Sequence, residues 1–384
     1  MPRVLIASDK FKGSLTAAEV AAAVRAGVRR ARPDAVVDAL PVADGGDGTL
    51  AAAEAAGFVL VEVEATGPTG EPGRTSYARK GDLAVVELAA VSGLSRLPDG
   101  VPAPMTATSR GTGEVIAAAV AAGCRRVVLG IGGSASTDGG LGLVRGLGAR
   151  ALDADGREVG EGGGALSAVR TLDLSPLRER MAGVAVTVAC DVDNPLTGPR
   201  GAAAVYGPQK GADPAHVREL DGALSHWADV VAGSTGVDER DAPGAGAAGG
   251  VGFAAVALLG AELRSGIALV LELMGFADRL TGVDLVITGE GSLDEQTLHG
   301  KVVAGVAAAA GAAGIPVVAV CGRASLDQDR LREAGVAAAY SLTDLEPDVR
   351  RCMAEPVPLL QRVGERIAVD RLAALAVPLG GAPA

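Results

Sequence analysis

Short runs of β-branched and aliphatic residues recur along this chain, each ending in a glycine-containing turn and followed by an alanine-rich stretch. "RVLIA" leads into "TAAEVAAAVRAGVRRA", "VDALPVA" into "TLAAAEAAG", and "VDLVITGEG" into "KVVAGVAAAAGAAG" and then "PVVAVCG". "RRVVLGIGG" and "VAVTVAC" add two more such runs. Strand and helix alternating in this way predict an α/β protein with largely parallel sheets. Hydrophobic residues make up 48% of the chain but aromatics only 2%. The core must therefore be built from Val, Leu, Ile and Ala, which suits parallel strands buried under alanine-rich helices.

The middle of the chain reads differently. From Phe58 to Tyr77, "FVLVEVEATGPTGEPGRTSY" alternates apolar and polar residues, the pattern of half-exposed antiparallel strands, and "LAVVELAAVSGL" at 83–94 continues it. Glycine then becomes dense through 130–164 and 233–252. With 384 residues, two domains are expected. The division that fits is a second α/β domain over 61–280, inserted into a first made of 1–60 and 281–384.

Net charge is −11, so the molecule as a whole repels a nucleic acid backbone. No basic tract, RNA-binding aromatic motif or zinc spacing is present, and nucleic acid is not expected as a partner. The cysteines at 124, 190, 321 and 352 form no CxxC and read as reduced thiols. The chain enters a strand at once, without the look of a signal peptide. Two charge-free stretches, 242–261 and 302–320, are alanine- and glycine-rich, and Ile315-Pro316 breaks the second. A cytoplasmic protein, with no membrane partner, is the expectation.

Four strand ends carry the polar residues that could do chemistry. In "SDKFKGSLT", Asp9, Lys10, Lys12, Gly13 and Ser14 precede a Thr16-x-x-Glu19 capping box, so a helix should begin near Ala17 with its N–H groups facing Lys12. In "PVADGGDGT", Asp44 and Asp47 sit among glycines; carboxylates there could hold Mg²⁺ or take a hydroxyl proton, while Asp47 also suits a helix cap. "CDVDNPLTGPRGAAAVYGPQKGA" places Asp191, Asp193 and Asn194 after an apolar run and Lys210 in a glycine turn, a set that suits either a metal–phosphate site or an ordinary turn. In "TGEGSLDEQTLHGK", Glu290, Asp294, Gln296 and Lys301 could face a ligand, whereas His299 suits a turn. His216 and His226 are assigned no chemistry.

Two glycine patterns imitate a dinucleotide fingerprint. "GIGGSA" at 130–135 follows a strand but runs into "STDGGLGLVRGLG", too glycine-rich for an immediate crossover helix; "GAGAAG" at 244–249 is preceded by polar residues. Such backbone can still cradle nucleotide phosphates or let segments pack closely. On these patterns a nicotinamide-dependent oxidoreductase stands as a rival reading, and a non-catalytic sugar-acid-binding regulator as another.

Taken together, "SDKFKGSLTA", "PVADGGDGT", "SRGTGEVI", "GIGGSASTDGG", "DVDNPLTGPRGAA", "YGPQKGA", "PGAGAAGG" and "VITGEGSLDEQTLHGK" resemble, in order and spacing, the glycerate kinases of the bacterial glycerate 2-kinase type. The resemblance runs from Val4 to about Arg323. It implies ATP-dependent phosphorylation of D-glycerate, with 2-phosphoglycerate favoured and 3-phosphoglycerate as the alternative. It also implies two α/β domains, one flavodoxin-like and discontinuous with a parallel sheet, the other inserted, and an active site in the cleft between them. Relatives of this type look to have Ser where this chain has Lys10, which turns attention to Lys12.

Phosphoryl transfer needs in-line positioning, Mg²⁺ and positive charge around the moving group. On that chemistry Lys12, Ser14, Asp9 and Asn194 are candidates for holding glycerate, and Asp191 or Asp44 for the base. Asp44, Asp193 and Glu290 are candidates for Mg²⁺. Gly132, Gly133, Ser134, Lys210, Gly246 and Lys301 are candidates for ATP. The expected assembly is a monomer or homodimer. The tail beyond Ala339 reads as a polar helix with a packing role.

Overall fold

In the computed structural model, which describes residues 1–298 and 301–373, the chain forms two units, Met1–Asp44 with Ile267 onward, and Gly45–Gly266. Both junctions lie earlier in the chain than the expected 60/61 and 280/281. The physical reason is local. Helix Thr49–Ala55, expected with the first unit, gives its Leu50 N–H to the buried Glu87 carboxylate at 2.9 Å, which ties it to the second. At the return, Ile267 packs against Gly305 of the first unit so closely that a Cβ on that glycine would lie 2.4 Å from the isoleucine side chain.

The first unit is a five-stranded parallel sheet in the spatial order Ala338–Ser341, Val317–Ala324, Leu285–Leu293, Arg3–Ser8, Val36–Ala39. Counted along this unit's own chain, the strands read 2-1-3-4-5 from the Val36 edge, the flavodoxin-like order. The apolar runs that announced these strands make the core: Val4, Ile6, Ile287, Val318 and Val320 pack against Val20 and Val24 of helix Ala17–Ala31. Strand order reverses between Arg3–Ser8 and Leu285–Leu293. Open α/β sheets bind ligands at the carboxyl ends of strands flanking such a reversal.

The second unit has a six-stranded mixed sheet, in the order Glu262–Arg264, Ala185–Ala189, Arg126–Gly130, Leu83–Glu87, Pro72–Lys80, Val59–Thr66. The alternating segment forms the antiparallel ribbon Val59–Thr66 with Pro72–Lys80, and the pairings from Leu83–Glu87 onward are parallel. A two-stranded ribbon, Arg150–Leu152 with Thr171–Asp173, stands apart from it. After Arg126–Gly130 no helix begins until Leu141, which removes the dinucleotide-fingerprint geometry. Among the described residues no helix is long and apolar enough to cross a membrane.

Candidate active site

In the first unit the reversal point gathers carboxylates. Asp9 follows the Arg3–Ser8 strand directly, and its N–H donates to Gly289 O at 2.9 Å across the reversal. Glu290 lies within Leu285–Leu293, 8% exposed, and the Thr297 hydroxyl donates to it. Asp44 ends this part of the unit. Burial first, and then the negative charge of Asp44, push the Asp9 carboxyl up to about 7; Glu290 adds to this, and the N–H and ammonium of Lys10 oppose it. Burial also holds Glu290 above the usual carboxylate range, with Asp294 and Asp44 adding, while the Thr297 hydroxyl and the Lys301 ammonium pull it back. Clustered carboxylates whose proton affinity is raised by burial and by one another's charge suit a cation or proton transfer.

Positive charge borders this corner. Lys10 N donates to Asp9 Oδ1 at 2.7 Å, and Lys12 is exposed on the turn closed by the Phe11–Leu15 bridge. Gly291 backs that turn, 3.6 Å from Lys12 N measured from a Cβ built there. Ser14 Oγ donates to Met353 O at 3.1 Å, which anchors the turn to the C-terminal helical segment. Lys301 stands at the start of helix Val302–Ala312 and acts on Glu290, so its charge belongs to the acidic corner. Gln296 and His299 lie outside the described side chains.

Helix Ala17–Ala31 carries the expected Thr16/Glu19 capping box, with the Glu19 carboxylate accepting from Thr16 N and Oγ1 at 2.8 Å. Asp47 differs from expectation: the helix it precedes is entered through Gly48 at φ 101, with no side-chain cap.

In the second unit, glycine does a different job from the one expected. A Cβ on Gly132 would meet Gly46 Cα at 2.6 Å, and one on Gly246 would meet Pro195 O at 2.2 Å. Gly249, at φ +71, lies against Ser136 O, where a Cβ would stand 2.1 Å away. The segments around 46, 132–140 and 244–250 therefore pack backbone on backbone, and Gly132 and Gly246 are required by that packing whatever else they do. Gly133, at φ +76, is less crowded, with Asp47 Oδ1 3.2 Å from a Cβ built there.

Four further residues turn out to have partners within the protein. Lys210 is 2% exposed and donates to Ser134 Oγ at 2.7 Å and Ser136 O at 2.5 Å, so its ammonium braces the glycine loop instead of presenting a phosphate-binding charge. Asn194 donates through Nδ2 to Arg200 O at 2.8 Å and accepts from Tyr206 OH at 2.6 Å, which occupies both ends of the amide expected to bind substrate. Asp193 is exposed and pairs with Arg200 at 3.1 Å, an arrangement of a surface loop and not of a metal ligand. Asp191, at the end of Ala185–Ala189, accepts from Gly266 N at 2.9 Å.

The reading of the residues passed over Asp138. It is fully buried and accepts from Ser109 N and Oγ at 2.8 Å, Gly140 N at 3.1 Å and Gly142 N at 3.2 Å. Burial raises its pKa against those bonds. Its signal was the Asp-Gly-Gly that closes "GIGGSASTDGG". Among the described residues, no group of three or more His, Cys, Asp or Glu side chains is arranged to hold a metal ion alone.

Comparison with known proteins settles the family. The glycerate kinase family profile matches residues 4–371, nearly the whole chain. The chain belongs to the glycerate kinase family. It is 47% identical over 343 residues to a glycerate kinase of Bacillus subtilis, covering 88% of this chain and 90% of that one. It is 45% identical over 344 residues to the glycerate 2-kinase of Escherichia coli, with coverage of 88% and 90%. A crystal structure described as glycerate kinase 2 from Salmonella typhimurium LT2 superposes with a TM-score of 0.83 at 41% identity, over 98% of this chain and 100% of that one. As a member of this family the protein is a kinase, an enzyme that transfers a phosphoryl group to a small molecule.

Proposed function

We propose that the protein phosphorylates D-glycerate with ATP, giving 2-phosphoglycerate in preference to 3-phosphoglycerate. The observation that carries the reading is the carboxylate corner of the buried Glu290 and the half-buried Asp9 and Asp44 at the strand-order reversal, bordered by the exposed Lys12. Glycerate brings a carboxylate for Lys12 and a hydroxyl for the acidic corner. Asp44 orients the attacking hydroxyl and accepts its proton as the oxygen bonds to phosphorus and ADP leaves. Asp191, the other candidate base, is held by Gly266 N.

The corner also fits Mg²⁺ on chemical grounds: its donors are hard oxygens, and the carboxylates repel one another. Asp44 and Glu290 would hold the ion, the rest of its shell coming from water and phosphate oxygens, as Mg²⁺ ordinarily prefers. An ion held by these carboxylates would supply neutralisation of phosphate charge. For the nucleotide we assign the 132–138 loop, which presents Gly132 and the exposed Gly133 while its buried residues from Ser134 onward back them. The four cysteines are free, which fits a reducing cytoplasm.

A coupled ADP-release assay with D-glycerate, MgATP and the purified chain tests the reading, with NMR of the product identifying the phosphorylated carbon. Glycerate-dependent ADP release is expected, and its absence overturns the function. Asp44→Asn should lower kcat by about a hundredfold or more with the fold intact by thermal melt. A drop below about tenfold would remove Asp44 from the reaction.

A further inference from the structure

In the second unit, many separate parts of the chain hold the loop from Gly132 to Gly140: Leu94 N donates to Gly133 O at 2.9 Å and Ala135 N to Ser92 O at 3.0 Å. Trp227 Nε1 donates to Gly139 O at 3.0 Å, and Gly139 N donates to Gly249 O at 2.9 Å. Asp138 joins the loop to Ser109, and Lys210 reaches Ser134 and Ser136. The hydroxyls of Ser136 and Thr137 are buried with no partner among the described residues, so of the loop's own side chains it is Ser134 and Asp138 that hold it.

Lys210 is the costly member of this set. Taking an ammonium out of water is unfavourable, and an apolar side chain could fill the same volume without that penalty. Burial pulls the Lys210 ammonium down to about 7, with the charge of Asp138 opposing. What an apolar residue could not do is donate at once to a hydroxyl and to a backbone carbonyl two positions further along the same loop. Together with the backbone bonds to Ser92 and Leu94, those two bonds fix the path of the chain between Ser134 and Ser136.

We infer that Lys210 is a positioning residue for the nucleotide: it holds the 132–138 loop in the shape that accepts ATP and does not itself touch the phosphates. This rests on the assignment of that loop to ATP made above.

The test uses the full chain. Calorimetric titration with MgATP compares wild type, Lys210→Met and Lys210→Arg, and steady-state kinetics gives the KM for glycerate of each. Misplacing a binding loop by an ångström can cost as much as a hundredfold. Lys210→Met is therefore expected to weaken MgATP binding by at least about tenfold with the glycerate KM unchanged. Lys210→Arg, which keeps donors at that position, should recover part of the loss. Lys210→Met binding MgATP as wild type does, or losing both ligands equally, overturns the inference. If Lys210→Met lacks a cooperative melt, hydrogen exchange on the wild type decides. Slowing by MgATP over 132–140 and 207–211 together supports the inference, and slowing of neither overturns it. Wild type that binds no MgATP removes the nucleotide assignment itself, whereas binding by wild type with an unaffected variant removes only the role of Lys210.

Discussion

Side chains of one chemical type meet opposite fates in this protein, and their surroundings decide which. Lys12 stands exposed on a tight turn, while Lys210 is buried and donates to a hydroxyl and a carbonyl. Both follow glycine-rich or turn-forming sequence, and nothing within a few residues of either distinguishes them. The difference matters for kinetics. Lys12→Ala should raise the KM for glycerate severalfold and leave that for ATP unchanged, because only an exposed ammonium can meet the substrate carboxylate; an effect confined to ATP would reverse the assignment. The acids divide similarly. Asp9 and Glu290 share a corner that raises both, whereas Asp193 is spent on a surface pair with Arg200, a contact worth at most about 1 kcal/mol.

Among elements, the helix Ala17–Ala31 and the C-terminal helix Pro356–Ile367 show how glycine sets spacing. A Cβ on Gly27 would lie 1.9 Å from Gln361 O, and one on Gly364 would lie 2.4 Å from Val24 O. The two helices thus approach through a glycine on each, and Arg30 crosses to Glu365 and Gln361 at the edge. The tail read as a polar packing helix does pack, burying Leu360, Val363 and Ile367 in the first unit's core. Gly27→Ala sets two effects against each other. Helix propensity favours alanine by about 1 kcal/mol, but overpacking against backbone costs about 1–3 kcal/mol or more. With carbonyl and backbone atoms inside contact distance, the second should win, and a thermal melt should show a lower Tm. An unchanged or raised Tm would mean the helices can separate without loss.

For the whole molecule, Asp9 of the first unit and Lys210 of the second contribute to stability with opposite pH dependence. Asp9 binds its proton more tightly folded, at about 7, than unfolded, at roughly 4. Its contribution to stability therefore falls as pH rises across that window. Lys210 binds its proton less tightly folded, at about 7, than unfolded, at roughly 10.4, so its contribution rises with pH above neutrality. Thermal melts across pH should show Asp9→Asn with a shallower decline between the acid limb and neutrality and an unaltered alkaline rise. An identical acid limb in wild type and variant would show that Asp9 is not held protonated by its corner.

Alternation of apolar runs with alanine-rich stretches was enough to specify an α/β chain, because the periods of strand and helix are written in local residue order. The capping box at Thr16 and Glu19, the antiparallel ribbon after Phe58 and the acidic strand ends were readable for the same reason: each is a short-range pattern. What local order could not contain was commitment. Whether Lys210, Asn194 and Gly246 face a ligand or another part of the protein depends on residues far along the chain, Ser134, Tyr206 and Pro195 among them. The same holds for Asp9, whose proton affinity is set by Asp44 and by burial, conditions that exist only once the sheet has brought the strand ends together.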